Sequence, residues 1–251
     1  MKKIFTEKEV EYIIENYSTL GPKQIAKDLN CSLNNIRHQQ RQLGLFRGVL
    51  ASNKSRKNDW KFKEWSYDLG YIIGVYLGDG HIQKTSKGNW YFRLTVIDKD
   101  FCEITAARIK EITGYDSSIR QFKSREGMYV MTFSNNDFCL WIKENFGGAK
   151  EKRLYMLPDM EANKGMMEGL FDSDGTSQGY TVMIRLFQNL QPLQNIITRL
   201  GIKQGGKSKG AHKGYEGIGS LSFPIKEYTR VGLGTYVKRK AKNGIVHKQI
   251  I

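Results

Sequence analysis

Acidic residues are scarce in this chain. Asp and Glu total 25 against 40 Lys and Arg, a formal charge of +15 in 251 residues. The imbalance points to a polyanionic partner, because each phosphate contact releases condensed counterions. Cysteine is sparse too: Cys31, Cys102 and Cys139 are odd in number and far apart. That excludes a disulfide framework and any paired-cysteine zinc spacing, and it favours a reducing compartment. His38, His81, His212 and His247 are equally scattered, so no histidine-built metal centre is legible. No apolar run is long enough to cross a bilayer. The opening MKKIFTEKEV turns acidic and amphipathic where a secretory leader would be apolar. The default setting is therefore cytoplasmic, in a bacterial or phage-infected cell, or an organelle matrix.

The positive charge is unevenly placed. From Lys203 onward there are eleven Lys or Arg and only Glu216 and Glu227 as acids, and a second basic stretch runs through Arg47, Lys54, Arg56, Lys57, Lys61 and Lys63. Ahead of that stretch, residues 1–46 form a small all-α unit. Thr6 and Glu9 make a capping box, each side chain satisfying a backbone amide at a helix start, and Val10, Ile13, Ile14 and Tyr17 follow on one face. Pro22 suits the first turn of a second helix. Ser32 caps a third, which turns Ile36 and Leu43 inward and ends at Gly44. Two short helices joined at Asn30-Cys31-Ser32 predict a helix-turn-helix, similar to the small DNA-binding domains of the Myb/SANT kind. Its third helix offers Asn34, Arg37, His38 and Arg41 for base edges and phosphates in a major groove. Trihelical units also serve as protein-interaction modules, but the polar face and basic neighbour favour DNA. Residues 47–64, polar, basic and without periodicity, are expected to be a linker along a DNA backbone.

The main domain, 65–251, carries an internal repeat. At an offset of 95 residues, DLGYIIGVYLGDG (68–80) matches NKGMMEGLFDSDG (163–175). Gly70 meets Gly165, Gly74 meets Gly169, Gly78 meets Ser173, Asp79 meets Asp174 and Gly80 meets Gly175. Small residues at i, i+4 and i+8 share one helical face. Glycine costs about 1 kcal/mol in a helix interior, so two helices carrying it in register imply close approach of their backbones. Ordinary helix packing explains those glycines but not the paired Asp-Gly ends. Each aspartate sits at a helix C-terminus, where the macrodipole disfavours negative charge. Two carboxylates brought to one rim repel unless cations neutralise them, and carboxylate and carbonyl oxygens suit Mg²⁺.

The elements after each motif repeat as well. A hairpin follows the first (His81 to Thr85, Trp90 to Ile97), then a helix over Lys99–Thr113, a hairpin over Asp116–Ser134 and a helix from Asn136. The second half gives a strand over Tyr180–Phe187, a helix over Gln191–Leu200, strands near Lys203–Ser208 and Ile218–Phe223, and a last helix. Both halves, about 65–158 and 159–251, read α-β-β-α-β-β-α. The fold class predicted is α+β with two pseudo-symmetric repeats and antiparallel sheets, beside the small all-α unit.

These paired motifs resemble the LAGLIDADG homing endonucleases in their single-chain, two-repeat form, over about residues 65–245. Leu77 departs from the consensus where Asp172 keeps it, while the second aspartate is present in both motifs. The resemblance implies a monomer with internal pseudo-twofold symmetry that cuts both strands of double-stranded DNA at a long target with a divalent metal, in the manner of intron homing. Asp79 and Asp174 would hold Mg²⁺ with the carbonyls of Gly78 and Ser173. Lysines just beyond the last helix of each half would assist, Lys150 and Lys238 by position, with Lys152 and Lys240 as close alternatives. Asp98 and, in the second half, Gln188 or Asn189 would order metal-bound water. Tyr91, Arg93, Thr95, Arg120 and Lys123 in the first sheet, and Arg185 and Lys207 in the second, would face DNA. A non-cleaving RNA maturase or a transcription regulator on the same fold is the alternative, and retention of both aspartates favours cleavage.

Overall fold

The computed structural model describes residues 3–17, 20–45, 60, 62–122, 125–148, 151–186, 190–203, 206–209 and 219–249, with backbone alone for Leu186 and 206–209. Lys123, Lys150, Gln188, Asn189 and the basic residues Arg47, Lys54, Arg56, Lys57 and Lys61 lie outside them.

Three short helices come first: α1 (Glu7–Asn16), α2 (Pro22–Asp28) and α3 (Leu33–Gln42). The predicted caps are present. Thr6 and Glu9 form the reciprocal box at α1, Pro22 opens α2, and the Ser32 side chain accepts from Asn35 N–H at α3. Ile13, Ile25, Ile36 and Leu43 turn inward.

The larger body is built on α4 (Tyr67–Leu77) and α7 (Met160–Asp174), which pack more extensively on each other than any other helix pair among the described residues. Nearly every residue of α4 is buried, as expected of a helix apolar all round. Leu69, Ile72, Ile73 and Val75 each contribute roughly 1.5–3 kcal/mol by full burial. After α4 come β1 (His81–Lys84), β2 (Trp90–Val96), α5 (Lys99–Thr113), β3 (Ser118–Gln121), β4 (Tyr129–Ser134) and α6 (Asn136–Phe146). After α7 come β5 (Gly175–Gln178), β6 (Thr181–Leu186), α8 (Gln191–Arg199), β7 (Gly206–Lys209), β8 (Gly219–Pro224) and α9 (Ile225–Arg230), then a 3-10 turn over Lys238–Lys240. The strands form two antiparallel sheets of corresponding order, β1-β2-β4-β3 and β5-β6-β8-β7. The fold is thus mixed helix and antiparallel sheet. Strand β5, GTSQ, carries no apolar alternation for sequence to read, and its pairing with β6 defines it.

The stretch expected to be a linker to residue 64 is corrected by its aromatics. Trp60 is buried, its ring 5.0 Å from Phe138, and Phe62 stacks on Trp141 at 5.4 Å. Large aromatic surfaces outweigh a polar neighbourhood, so Trp60 and Phe62 pack with α6 in the first half. The three N-terminal helices are seated instead on the segment that precedes α7 and on α8. Tyr17 Oη donates to the Met156 carbonyl at 2.8 Å, Met156 N–H to the Gly44 carbonyl at 2.9 Å, and Asn195 Nδ2 to the Leu43 carbonyl at 2.8 Å. Leu45 and Met156, both fully buried, complete a parallel bridge.

Candidate active site

The site begins with glycine. A Cβ on Gly70 would run into the Ala162 carbonyl, one on Gly74 into the Met166 carbonyl, and one on Gly78 into Ser173. The reciprocal approach holds for Gly165 against Tyr67 and for Gly169 against Tyr71. Partners advance together along both helices, so α4 and α7 run parallel at near-backbone contact. Both C-terminal ends therefore reach one rim. There Asp174 Oδ2 lies 3.0 Å from where a Gly78 side chain would start.

The two ends are not identical. Helix α4 stops at Leu77, whereas α7 continues through Asp174. Asp79 and Asp174 stay open to solvent on one side while their other side faces the packed helix ends. Desolvation there pushes the Asp174 carboxyl up to about 6, and the neighbouring Asp79 charge adds to it. Desolvation also raises Asp79, with Lys240 and Lys152 opposing. No described residue makes a hydrogen bond or ion pair to either carboxylate.

Two lysines close the helix ends. Lys152 Nζ donates to the Gly78 carbonyl at 2.7 Å and to Gly80 at 2.8 Å. Lys240 Nζ donates to Phe171 at 2.8 Å, Ser173 at 2.7 Å and Gly175 at 3.0 Å. Each ammonium thus gathers carbonyls at the end of a motif helix, Phe171 O also accepting from Gly175 N–H, and brings positive charge to the negative end of the dipole. Desolvation lowers both to about 8, with the aspartates pulling back. Of Lys238 and its alternative Lys240, Lys238 is exposed with its backbone N–H held by Asp100 at 2.7 Å, and Lys240 is the one whose side chain reaches the motif helix. Between Lys152 and Lys150, only Lys152 is within the described residues.

Asp98 receives Arg239, with Nε to Oδ1 at 2.9 Å and Nη2 to Oδ2 at 2.8 Å, a partner that the sequence did not indicate. Asp172, the consensus acid that Leu77 replaces in the first motif, is fully buried. It accepts from Tyr71 Oη at 2.7 Å, from Thr235 Oγ1 and from Tyr236 N–H at 3.2 Å. Its role is to tie the C-terminal segment to both motif helices. Glu168, one turn earlier, does the same through Lys248 and Gly234 N–H. Sequence reading passed over Arg239, Glu168 and His81. The last pairs with Arg93, and burial lowers its pKa.

On the first sheet the register gathers the predicted contact residues. Arg93 pairs with Thr132, Thr95 with Val130, and Val130 with Arg120, so Arg93, Thr95 and Arg120 share one face with Tyr91. Phe92, Leu94, Met131 and Phe133 fill the other. On the second sheet Arg185, exposed, pairs with Ser220, which pairs with Ser208. Lys207, described by its backbone alone, pairs with Leu221, which pairs with Ile184. On α3, Asn34, Arg37 and Arg41 are exposed, but His38 is half-buried with Nε2 enclosed and unpartnered.

The donor types suit a hard divalent ion, two carboxylates and helix-end carbonyls, with Gly78 so close to Ser173 and Asp174 that a Cβ there would collide with them. Among the described residues no group of three or more His, Cys, Asp or Glu is placed to hold a metal ion.

No family model matches the chain. The uncharacterized protein MJ0398 of Methanocaldococcus jannaschii is 30% identical over 113 residues, 44% of this chain and 39% of that protein. The uncharacterized protein MJ0314 of the same organism is 29% identical over 121 residues, covering 44% and 42%. The chain thus spans about two fifths of the length of the curated relatives it matches. Among solved structures, the homing endonuclease I-WcaI bound to its DNA recognition sequence aligns over 78% of this chain and 97% of its own, at TM-score 0.52 and 15% identity. Mesophilic variants of the homing endonuclease I-DmoI align over 70% and 93%, at TM-score 0.51 and 15% identity. A single-substitution variant of I-DmoI, solved with its target DNA and Mn, aligns over 67% and 94%, at TM-score 0.50 and 13% identity. What these share with the chain is the fold. Among the described residues no helix is long and apolar enough to cross a membrane.

Proposed function

We propose that this protein is a site-specific double-strand DNA endonuclease of the LAGLIDADG type, acting as a monomer with two pseudo-symmetric repeats. One observation carries the reading: parallel glycine-packed helices bring Asp79 and Asp174 to a single rim, with the Asp174 carboxylate against Gly78. Asp79 and Asp174, with the carbonyls of Gly78 and Ser173, would hold Mg²⁺. When bound, such an ion activates water and offsets charge on the leaving oxygen. The chain's own residues do the rest. Lys152 and Lys240 offset the negative charge collected at the rim. Tyr91, Arg93, Thr95 and Arg120 on one sheet, and Arg185 on the other, hold the duplex on either side of it. The first three helices act as a helix-turn-helix whose Asn34, Arg37 and Arg41 add contacts to a second stretch of the target. Neighbours of this fold solved with DNA and with Mn support the substrate and the metal class.

The test is cleavage of a randomised plasmid library with Mg²⁺ and with EDTA, followed by sequencing of ends. Mg²⁺-dependent staggered breaks at one long sequence are expected, and Asp79→Asn and Asp174→Asn should each lose cutting of at least one strand while keeping DNA binding. Full double-strand cleavage by either variant refutes the assignment. One observation favours a second, non-cleaving reading: the Gly78 and Ser173 carbonyls already hold ammonium groups. Tight, salt-sensitive binding without breaks at any divalent metal would select it, with RNA as the next substrate.

A further inference from the structure

We propose that Asp98 and Arg239 are positioning residues: their ion pair carries the Lys238–Lys240 segment from the second half across to the first and so fixes where the Lys240 ammonium stands. The inference rests on the endonuclease reading for its consequence, not for its geometry. Three consecutive residues divide their grip. Lys238 N–H binds Asp100 and Arg239 binds Asp98 in a two-bond fork, both acids at the start of α5 in the first half. Lys240 binds only carbonyls of the second half. The segment is a strut between the beginning of α5, beside Asp79, and the end of α7, which bears Asp174. A planar guanidinium fork fixes direction as well as distance, which a single ammonium does not.

Among the described residues the strut is one-sided. Glu151 precedes Lys152 where Arg239 precedes Lys240, and Glu151 pairs with Arg153 in its own segment at 3.4 Å. Because the Lys240 segment is tied across to the other half and the Lys152 segment pairs within itself, loss of the strut should fall unequally on the two strands. Asp98 makes no capping bond to α5, so its replacement spares that helix. Arg239 is 58% exposed but Asp98 only 13%, and the fork is bidentate, so a change in melting temperature would not separate positioning from stability and is not the readout.

Two measurements test it. In full-length protein labelled with ¹⁵N-lysine, the Lys240 ammonium, assigned by Lys240→Arg, should give a slowly exchanging resonance at a pH well below its titration. Arg239→Ala and Asp98→Asn should each shift or abolish it, and the swap Asp98→Arg with Arg239→Asp should restore it. An unchanged resonance in both single variants overturns the proposal without DNA or metal. On cleavable plasmid with Mg²⁺, the single variants should accumulate nicked circles, with second-strand cutting slowed at least about tenfold, as small misplacements of a reacting group do. Equal slowing of both strands, or none, also overturns it. If the unaltered protein cuts no DNA, the proposed function falls while the resonance still decides the strut.

Discussion

Gly74→Ala measures how far the site depends on backbone contact between α4 and α7. In an isolated helix the change would stabilise by about 1 kcal/mol, since alanine is the better helix former. Here the new Cβ would stand 2.8 Å from Leu170 N and 3.0 Å from Gly169 Cα, and closer still to the Met166 carbonyl. These are backbone atoms that no rotamer change can move aside. The helices must part by roughly 1 Å to regain ordinary contact. Overpacking typically costs 1–3 kcal/mol, and rigid obstacles favour the upper end, so the net loss should be about 2 kcal/mol. For a chain of this length about 2–4 °C of Tm accompanies each kcal/mol, giving a fall of roughly 6 °C by calorimetry or circular dichroism. Gly148→Ala is the control. Its Cβ would meet only Lys143 Cε at 3.7 Å, and a surface change of this kind stays within about 0.5 kcal/mol. Parting the helices also separates Asp79 from Asp174, so cleavage should fall by about a hundredfold, far beyond the stability loss. An unchanged or raised Tm for Gly74→Ala would refute the close-packing argument.

Three further outcomes are expected. Asp174, raised to about 6 by desolvation and by Asp79, contributes stability that is complete at low pH and is lost as pH rises from its ordinary range through 6. Asp174→Asn should therefore raise the Tm at alkaline pH by the equivalent of ~1 kcal/mol after discounting solvent screening, with no gain near pH 4; a gain largest in acid would contradict the linkage. Lys248→Met strands the fully buried Glu168 and should cost about 3 kcal/mol above neutral pH. That cost shrinks in acid as Glu168, itself raised to about 7 by burial, takes a proton; adding Glu168→Gln should recover most of the loss by denaturant titration. Ca²⁺ in large excess should raise the Tm, by about 2.7 kcal/mol at a hundred times Kd, and Asp79→Asn with Asp174→Asn should abolish the rise; a persistent rise would place the metal elsewhere.

The matched Asp-Gly ends and the i, i+4, i+8 glycines specify two helices with one apposed face, because small residues in register have meaning only as a contact. The elements after each motif were legible from alternation and turn residues, except β5, whose polar sequence is a strand only because β6 pairs with it. Trp60 and Phe62 looked like part of a basic linker because their burial depends on Phe138 and Trp141, far along the chain. The rows that Arg185 and the backbone of Lys207 occupy were not legible, because sheet register is a relation between strands and no single strand encodes it.

What sequence by itself determined was therefore the periodic and local: the basic charge, the helix caps, the repeated motif and its aspartates. Which lysine of each basic cluster reaches a helix end, which partner Asp98 takes, and where the first three helices are seated were decided by tertiary structure. Those choices rest on a few ångströms of separation between residues as distant as Asp98 and Arg239 or Tyr17 and Met156. Hydrogen bonds and ion pairs act only at contact distance, and only the packed fold sets that distance.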